Sequence, residues 1–158
     1  MKILLVGEYS RLHNTLKEGL NLLNHEVTLV GDGDGFKNFP VDVSIKAVFV
    51  HLPVIKWITV FFYKFFNLDL TELERGLRFF HQLKRLKDYD VVQLINEKPI
   101  KTLPFLERYL LKRLFRQNSK TFLLSCGIDL ISLEFMLENG FRYSLMDPYH
   151  ENSELRMD

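Results

Sequence analysis

The first thirty residues combine two apolar runs with a helical repeat between them. Residues 2–6 are mostly apolar, and Gly7 ends that run. The leucines that follow recur at steps of four, four and three, which places them on one face of a helix: Leu12, Leu16, Leu20 and Leu23. Residues 26–30 form a second short run, apolar and β-branched. The pattern predicts a β-α-β unit over Lys2–Val30 with parallel strands.

The rest of the chain continues this alternation. Apolar runs predict further strands at 41–45, 91–95 and 120–125, and leucine repeats predict helices between them and a short one over 131–139. Strands that alternate with helices indicate an α/β fold. We expect a single Rossmann-like, doubly wound parallel sheet of about five strands in the order 3-2-1-4-5, with helices on both faces.

The helix that precedes the fourth strand carries its own start signal. Thr71 and Glu74 have the spacing of a capping box, in which each side chain would satisfy a backbone N–H at the helix start. The apolar positions of this helix predict its buried face: Leu73, Leu77, Phe80, Leu83 and Leu86.

The segment over residues 54–67, VIKWITVFFYKFFN, is unusually apolar for a helix. Its polar residues form one narrow stripe: Lys56, Thr59, Tyr63, Lys64 and Asn67. Such a helix is either packed against protein or lies against another apolar surface. The lysines argue against a membrane span. Peripheral membrane contact stays open, with the lysines reaching the headgroups and four aromatic residues entering the lipid: Trp57, Phe61, Phe62 and Phe65.

Composition narrows the class of protein. A length of 158 residues suits one domain, and 47% hydrophobic residues suffice for a core. A net charge of +1 gives no field that would attract nucleic acid, so we expect no nucleic-acid partner. The single cysteine, Cys126, and the lack of a signal-like start fit a reducing, cytoplasmic location. The five histidines are scattered, and no metal site is expected.

Candidate site residues follow from the topology. In an open α/β sheet, ligands bind outside the carboxyl ends of the strands, at the point where the strand order reverses. The loops over 7–13, 96–99 and 127–129 flank that point. We expect Gly7, Gly127 and the polar residues of these loops to line one crevice: Glu8, Tyr9, Ser10, His13, Asn96, Glu97 and Asp129.

His13 and Glu97 are the candidate catalytic bases of this crevice. The positive end of the first helix disfavours a protonated imidazole, which leaves His13 able to accept a proton. The alternative is that His13 is an ordinary first-turn residue and that Glu8 and Asp129 are loop or cap residues. Cys126 has no visible base beside it and is interpreted as a packed thiol.

The segment Gly31–Gly35, GDGDG, follows the second strand and could cradle a phosphate. It lacks the Gly-Lys-Ser/Thr of a P-loop, and its two aspartates would repel a phosphate. Two interpretations stay open. The segment is a simple turn, or Asp32 binds a sugar or ribose hydroxyl at the end of the strand.

The strings KILLVG at 2–7, HEVTLV at 25–30 and DVVQLIN at 90–96 resemble the N-terminal domain of GT-B glycosyltransferases. They are most similar to the bacterial group 1, or family 4-like, enzymes. The resemblance covers most of residues 1–147, and 148–158 would be a polar tail. It implies a domain that binds a sugar or lipid-linked acceptor beside a second domain that binds a nucleotide-sugar donor. It implies no catalytic metal and no cofactor beyond that co-substrate.

The sequence also departs from the family pattern. No Gly-Gly pair follows the first strand, and Gln93 and Ile95 replace the two histidines of the family's fourth strand. We expect these 158 residues to be inactive without a donor-binding domain or subunit. Two other hypotheses remain: a non-enzymatic, flavodoxin-like assembly module that uses helix 54–66 as its interface, and a nucleotide-binding enzyme that uses Gly31–Gly35.

Overall fold

The computed structural model describes residues 1–66, 68–124, 134, 135 and 138, without the side chains of residues 51, 53, 54, 56 and 66. The chain divides into two units, Met1–Leu124 and Ser125–Asp158, and the sheet belongs to the first. Of the predicted helix over 131–139, residues 134, 135 and 138 are described and helical. Cys126, Gly127, Asp129 and the tail over 148–158 lie outside the described residues.

Five parallel strands form one sheet in the order β3-β2-β1-β4-β5. The order and the α/β class are those predicted. Leu5 of β1 lies between Leu29 of β2 and Gln93 of β4. The strands are β1 (Lys2–Val6), β2 (Glu26–Gly31), β3 (Val43–Ser44), β4 (Val91–Leu94) and β5 (Lys120–Leu123).

Four α-helices accompany the sheet: α1 (Leu12–Leu22), α2 (Pro53–Phe66), α3 (Leu70–Gln82) and α4 (Pro104–Arg116). Two single 3-10 turns lie at Gly35–Lys37 and Phe49–His51. Because successive strand residues point to opposite faces, β1 contributes to two separate cores. Ile3 and Leu5 pack under α1, whereas Leu4 and Val6 belong to the core that α3 and α4 cover.

The third strand is shorter than the predicted 41–45, because a side chain replaces part of its backbone pairing. The carboxylate of Asp42 accepts a hydrogen bond from the Leu29 N–H at 2.6 Å. The Asp42 N–H in turn donates to the Leu29 carbonyl at 2.9 Å. Asp42 therefore ends the pairing with β2 on one side of Val43.

The predicted capping box of α3 is wrong. Asp69 caps this helix, since its carboxylate accepts the Thr71 N–H at 2.7 Å. Glu74 faces the preceding turn instead, where it accepts hydrogen bonds from the N–H groups of residues 48–50. The identity of the cap depends on where the chain enters the helix, which the spacing of two polar residues does not specify.

The predicted buried face of α3 is also partly wrong. Leu83 and Leu86 are buried as expected, but Leu77 and Phe80 are 56% and 47% exposed. Phe79 and Gly76 take the inner positions, because a glycine lets α3 approach the first turn of α4 and the residues just before it. A Cβ at Gly76 would lie 2.3 Å from Thr102 Oγ1 and 2.4 Å from Leu106 Cδ2.

The aromatic helix α2 lies on the surface rather than in a core. Trp57 and Phe65 are 82% and 66% exposed. Phe61 stacks on Phe65 at a centroid distance of 4.7 Å, so part of the apolar surface is covered within the helix itself. Within the described residues, no helix has both the length and the apolar character needed to cross a membrane.

Candidate functional site

The carboxyl edge of the sheet brings together the loops after β1, β2 and β4. Gly7 ends β1 with φ +86°, and its N–H donates to the Val30 carbonyl of β2. A Cβ at Gly7 would lie 2.4 Å from Ile95 Cγ2 and 3.0 Å from the Pro99 carbonyl oxygen. The loop after β4 therefore packs directly on Gly7, and its apolar residues fill the space between the β1 and β4 loops.

Glu8 is fully buried and holds the start of α1. Its carboxylate accepts the N–H of Asn14 at 2.9 Å and, through the same oxygen, the Asn14 side-chain amide. The other oxygen accepts the Tyr9 N–H. A carboxylate at this end of a helix satisfies N–H groups that have no partner within the helix. The residue therefore occupies the predicted loop but serves as a cap there.

His13 is enclosed behind the same loop. Its Nδ1 lies 2.7 Å from the Gly7 carbonyl, which can only accept, so this nitrogen carries a proton. Nε2 is then the acceptor and lies 3.4 Å from the Gln93 amide nitrogen. Burial lowers the pKa of His13, and the Gly7 carbonyl and the Glu8 carboxylate offset that effect only in part. The imidazole is therefore neutral, with both nitrogens engaged.

Asn96 and Glu97 follow β4 on the solvent side. The Asn96 side chain accepts the Lys98 N–H at 3.1 Å, which closes a local turn. Glu97 is exposed. The predicted crevice therefore does not collect its members at one point, since Glu8 and His13 are directed inward and Glu97 outward.

A different set of polar residues meets beside the loop after β2. We call it the edge cluster: Ser10, Asp32, Asp34, Lys37, Arg75 and Lys101. Its central ion pair joins the buried Asp32 carboxylate to Lys101, whose Nζ lies 3.3 and 3.4 Å from the two oxygens. Arg75 Nε lies 3.9 Å from the same carboxylate. Asp32 was predicted, but Arg75 and Lys101 come from distant parts of the chain and carry no sequence signal.

Asp34 extends the edge cluster to the loop after β1. Its carboxylate accepts the Ser10 N–H at 2.9 Å and the Lys37 ammonium at 2.8 Å. Burial raises the pKa of Asp34, but the hydrogen bonds from Lys37 and Ser10 outweigh this and leave that pKa lowered. Lys37 also contacts the Ser10 hydroxyl at 3.0 Å. Its Nζ lies 5.5 Å from the centre of the exposed Tyr9 ring.

Lys101 is held in an unfavourable backbone conformation, with φ +58°. The buried carboxylate of Glu107 accepts the N–H groups on either side of it, from Ile100 and Thr102, each at 2.9 Å. Arg75 donates to the Lys101 carbonyl at 3.2 Å. Burial raises the pKa of Glu107, and the hydrogen bonds from Thr102 and Ile100 offset part of that rise.

Backbone strain in the described part of the chain concentrates at this edge. Among its non-glycine residues with positive φ, four are Asn or Asp, which tolerate that conformation: Asn24, Asp34, Asn38 and Asp88. The other three, Ser10, Arg11 and Lys101, lie at the edge cluster or next to it. Left-handed backbone costs about 1–2 kcal/mol per residue, and such strain collects at functional sites. This makes the edge cluster the best candidate site.

Two further observations delimit the site. The described residues hold no group of three His, Cys, Asp or Glu side chains able to bind a metal ion. A groove of about 730 Å³ runs along α1 and begins at Ser10, but its floor is apolar, formed mainly by leucines such as Leu16 and Leu20. The polar chemistry therefore lies at the edge cluster, and the groove continues away from it.

Comparison with known proteins adds no assignment. No family model, no curated protein and no solved structure matches the chain.

Proposed function

We propose that this chain is the acceptor-binding half of a GT-B type sugar transferase, and that the acceptor sugar binds at the edge cluster. The observation that carries the proposal is the position of the cluster beside the exposed Tyr9, at the carboxyl edge of a parallel sheet. The similarity of residues 2–7, 25–30 and 90–96 to the GT-B pattern supports the same assignment.

The chemistry of the edge cluster suits a sugar. Carboxylates accept hydrogen bonds from hydroxyl groups, and ammonium and guanidinium groups donate to them. An aromatic ring such as Tyr9 offers an apolar face against which a pyranose ring can lie. The pairs Asp32–Lys101 and Asp34–Lys37 each place a donor and an acceptor side by side, which matches two neighbouring hydroxyls.

In the complete enzyme, a donor-binding domain or subunit supplies the nucleotide-sugar. The acceptor hydroxyl attacks the anomeric carbon, its proton passes to a base, and the bond to the nucleotide breaks with its electron pair leaving on the phosphate. Glu97 is the preferred base of the two that the sequence suggests, because it is exposed. His13 is enclosed with both nitrogens engaged, so we assign it to holding the loop after β1.

An NMR titration of the full chain with mono- and disaccharides, neutral and anionic, tests acceptor binding. We expect amide shifts centred on Tyr9, Ser10 and Lys101, and a loss of those shifts in Tyr9→Ala. Tyr63→Ala, which removes an exposed tyrosine on α2, is the matched control and should bind normally. Shifts centred elsewhere, or none with any saccharide, would refute the assignment.

The exposed face of α2 supports a second part of the proposal, peripheral contact with the membrane in which a lipid-linked acceptor resides. Trp57, Phe61 and Phe65 are each at least half exposed, and Lys64 is exposed beside them. Aromatic side chains favour the interfacial region of a bilayer, and lysine favours anionic headgroups. We expect the chain to sediment with anionic phospholipid vesicles, and Trp57→Glu to abolish this.

The non-enzymatic alternative uses the same surface. If α2 is an assembly interface, the chain forms dimers in analytical ultracentrifugation without lipid, and Trp57→Glu separates them. Leu22→Glu, at an 84% exposed position on α1, is the control for both experiments. Vesicle binding by a monomer favours the transferase proposal, whereas a dimer with no vesicle binding favours the assembly module.

A further inference from the structure

The edge cluster carries an excess of positive charge. Among its six residues, three cations, Lys37, Arg75 and Lys101, pair with two carboxylates, Asp32 and Asp34, through ion pairs of 4.0 Å or less. The whole chain, by contrast, is nearly neutral. The excess therefore arises from the arrangement of this site and not from the general composition.

The two kinds of charge also differ in exposure. The side chains of Asp32 and Asp34 are only 6% and 11% exposed, whereas those of Lys37, Arg75 and Lys101 are 35%, 23% and 32% exposed. A ligand that approaches from solvent therefore meets the cations first. In the sequence alone, the two aspartates argue against an anionic ligand because they would repel it. In the structure they lie beneath the cations and act as their counterions.

The aspartates have their own hydrogen bonds within the protein. Asp34 accepts the Ser10 N–H, and Asp32 accepts the Asp34 N–H at 3.1 Å. An ammonium has three donors and a guanidinium five. Lys101 and Arg75 can therefore bind a further acceptor while they keep their contacts with Asp32. Charged donors bind phosphoryl and carboxylate oxygens more strongly than neutral hydroxyls.

The backbone of Lys101 is strained in the conformation that positions its side chain to bind an anionic oxygen. Glu107 fixes the N–H groups on both sides of it, and Arg75 binds its carbonyl. A glycine would adopt φ +58° without strain, whereas the lysine adopts it against its conformational preference. Preorganisation of this kind lowers the cost of ligand binding.

We propose that the edge cluster selects an acceptor sugar that carries an anionic group, a phosphoryl or a carboxylate, which Lys101 and Arg75 bind. This inference rests on the proposed function, because it specifies the acceptor of the same site. Glu107 is a positioning residue that acts through Lys101.

NMR titration of the full chain with glucose, glucose 1-phosphate and glucuronate tests the inference. We expect both anionic sugars to bind at the edge cluster at least about tenfold more tightly than glucose, which corresponds to one charged hydrogen bond. The preference should fall as salt concentration rises. Lys101→Met should lose most of the preference and keep only the part due to Arg75, whereas Lys98→Met, which removes a neighbouring exposed lysine, should keep all of it.

A double-mutant cycle tests the positioning role. Glu107→Gln should weaken the binding of glucose 1-phosphate in the wild-type background and have no further effect in the Lys101→Met background. A purely structural role would instead give the same loss in both backgrounds. Circular dichroism spectra and melting curves verify that each variant keeps its fold. The salt dependence of binding is measured on the wild type, so that test does not depend on any variant folding.

The outcomes separate the two proposals. Equal affinity for glucose and the two anionic sugars at the cluster would overturn the anionic selection and leave the proposed function standing. Binding of inorganic phosphate at the cluster as tight as that of glucose 1-phosphate would overturn sugar recognition and leave the anion site standing. If glucose, glucose 1-phosphate, glucuronate and inorganic phosphate all fail to shift amide signals at the cluster, both the proposed function and the anionic selection are overturned.

Discussion

The contact of Glu74 with the turn before α2 gives a quantitative prediction. One oxygen of its carboxylate accepts the N–H groups of Val48 and Phe49 at 2.8 and 3.1 Å, and the other accepts that of Val50 at 3.0 Å. Arg78 donates to the first oxygen at 2.8 Å. Burial alone raises the pKa of Glu74, but these four donors reverse the shift and lower it from 4.5 to about 2.

A lowered pKa measures how much the ionised form stabilises the fold. The shift corresponds to about 3 kcal/mol at neutral pH as an upper value, since each unit is worth about 1.4 kcal/mol. Solvent screening at this partly accessible site reduces the expected contribution to about 2 kcal/mol. Glu74→Gln removes the charge and replaces one acceptor oxygen by a donor. We therefore expect it to lower the free energy of unfolding by about 2 kcal/mol at pH 7.

Urea unfolding at several pH values tests this prediction. Because the folded-state pKa is lowered, the stabilisation is complete above the unfolded value of 4.5 and is lost as the pH falls toward 2. The difference between wild type and Glu74→Gln should shrink over that window. Glu72→Gln, two residues earlier in α3, is the matched control and should cost well under 1 kcal/mol. An equal cost at pH 7 and at pH 2.5 would show that the ionised carboxylate is not responsible.

Two further variants test the packing behind the edge cluster. Gly7→Ala should lower the free energy of unfolding by about 2 kcal/mol or more, because its Cβ would overlap Ile95 at a position with φ +86°. The control Gly19→Ala lies in open space on α1 and should not destabilise the fold. Thermal melts of both variants test this. Wild type should lose stability as the pH falls below 6.5, because burial lowers the pKa of His13 and the unfolded chain therefore binds the proton at a higher pH than the folded chain. Stability should fall less in His13→Gln over that range, and an unchanged slope in this variant would contradict the reasoning.

The fold could be predicted because its main signal is local. β1 alternates between two cores, and its pattern of apolar residues, followed by a leucine repeat, is enough to identify a β-α-β unit. The face of α3 was harder to predict. Leu77 and Phe80 fit the helical repeat as well as Phe79 does, and only the close approach permitted by Gly76 decides which side turns inward.

The candidate site was predictable only in part, since it depends on contacts between distant residues. Tyr9, Ser10 and Asp32 follow strands that the sequence identifies, so their place at the carboxyl edge could be predicted. Lys101 and Arg75 reach Asp32 across 69 and 43 positions of the chain, and neither residue belongs to a recognisable motif. A lysine with positive φ has no sequence signature, because it is the carboxylate of Glu107 that imposes that backbone conformation.

Asp42 ends the pairing between β2 and β3, and this has a consequence for how the edge cluster can change in evolution. The Asp42 side chain accepts the Leu29 N–H, the Asp42 N–H donates to the Leu29 carbonyl, and β3 itself adds Val43 and Ser44. The segment between β2 and Asp42 therefore does not pair with the sheet, and its length is not fixed by the strand register. It supplies Asp32, Asp34 and Lys37 to the edge cluster. If the edge cluster binds a ligand as proposed, insertions and substitutions in this segment would change its specificity while the strand register stays intact and the domain keeps its fold.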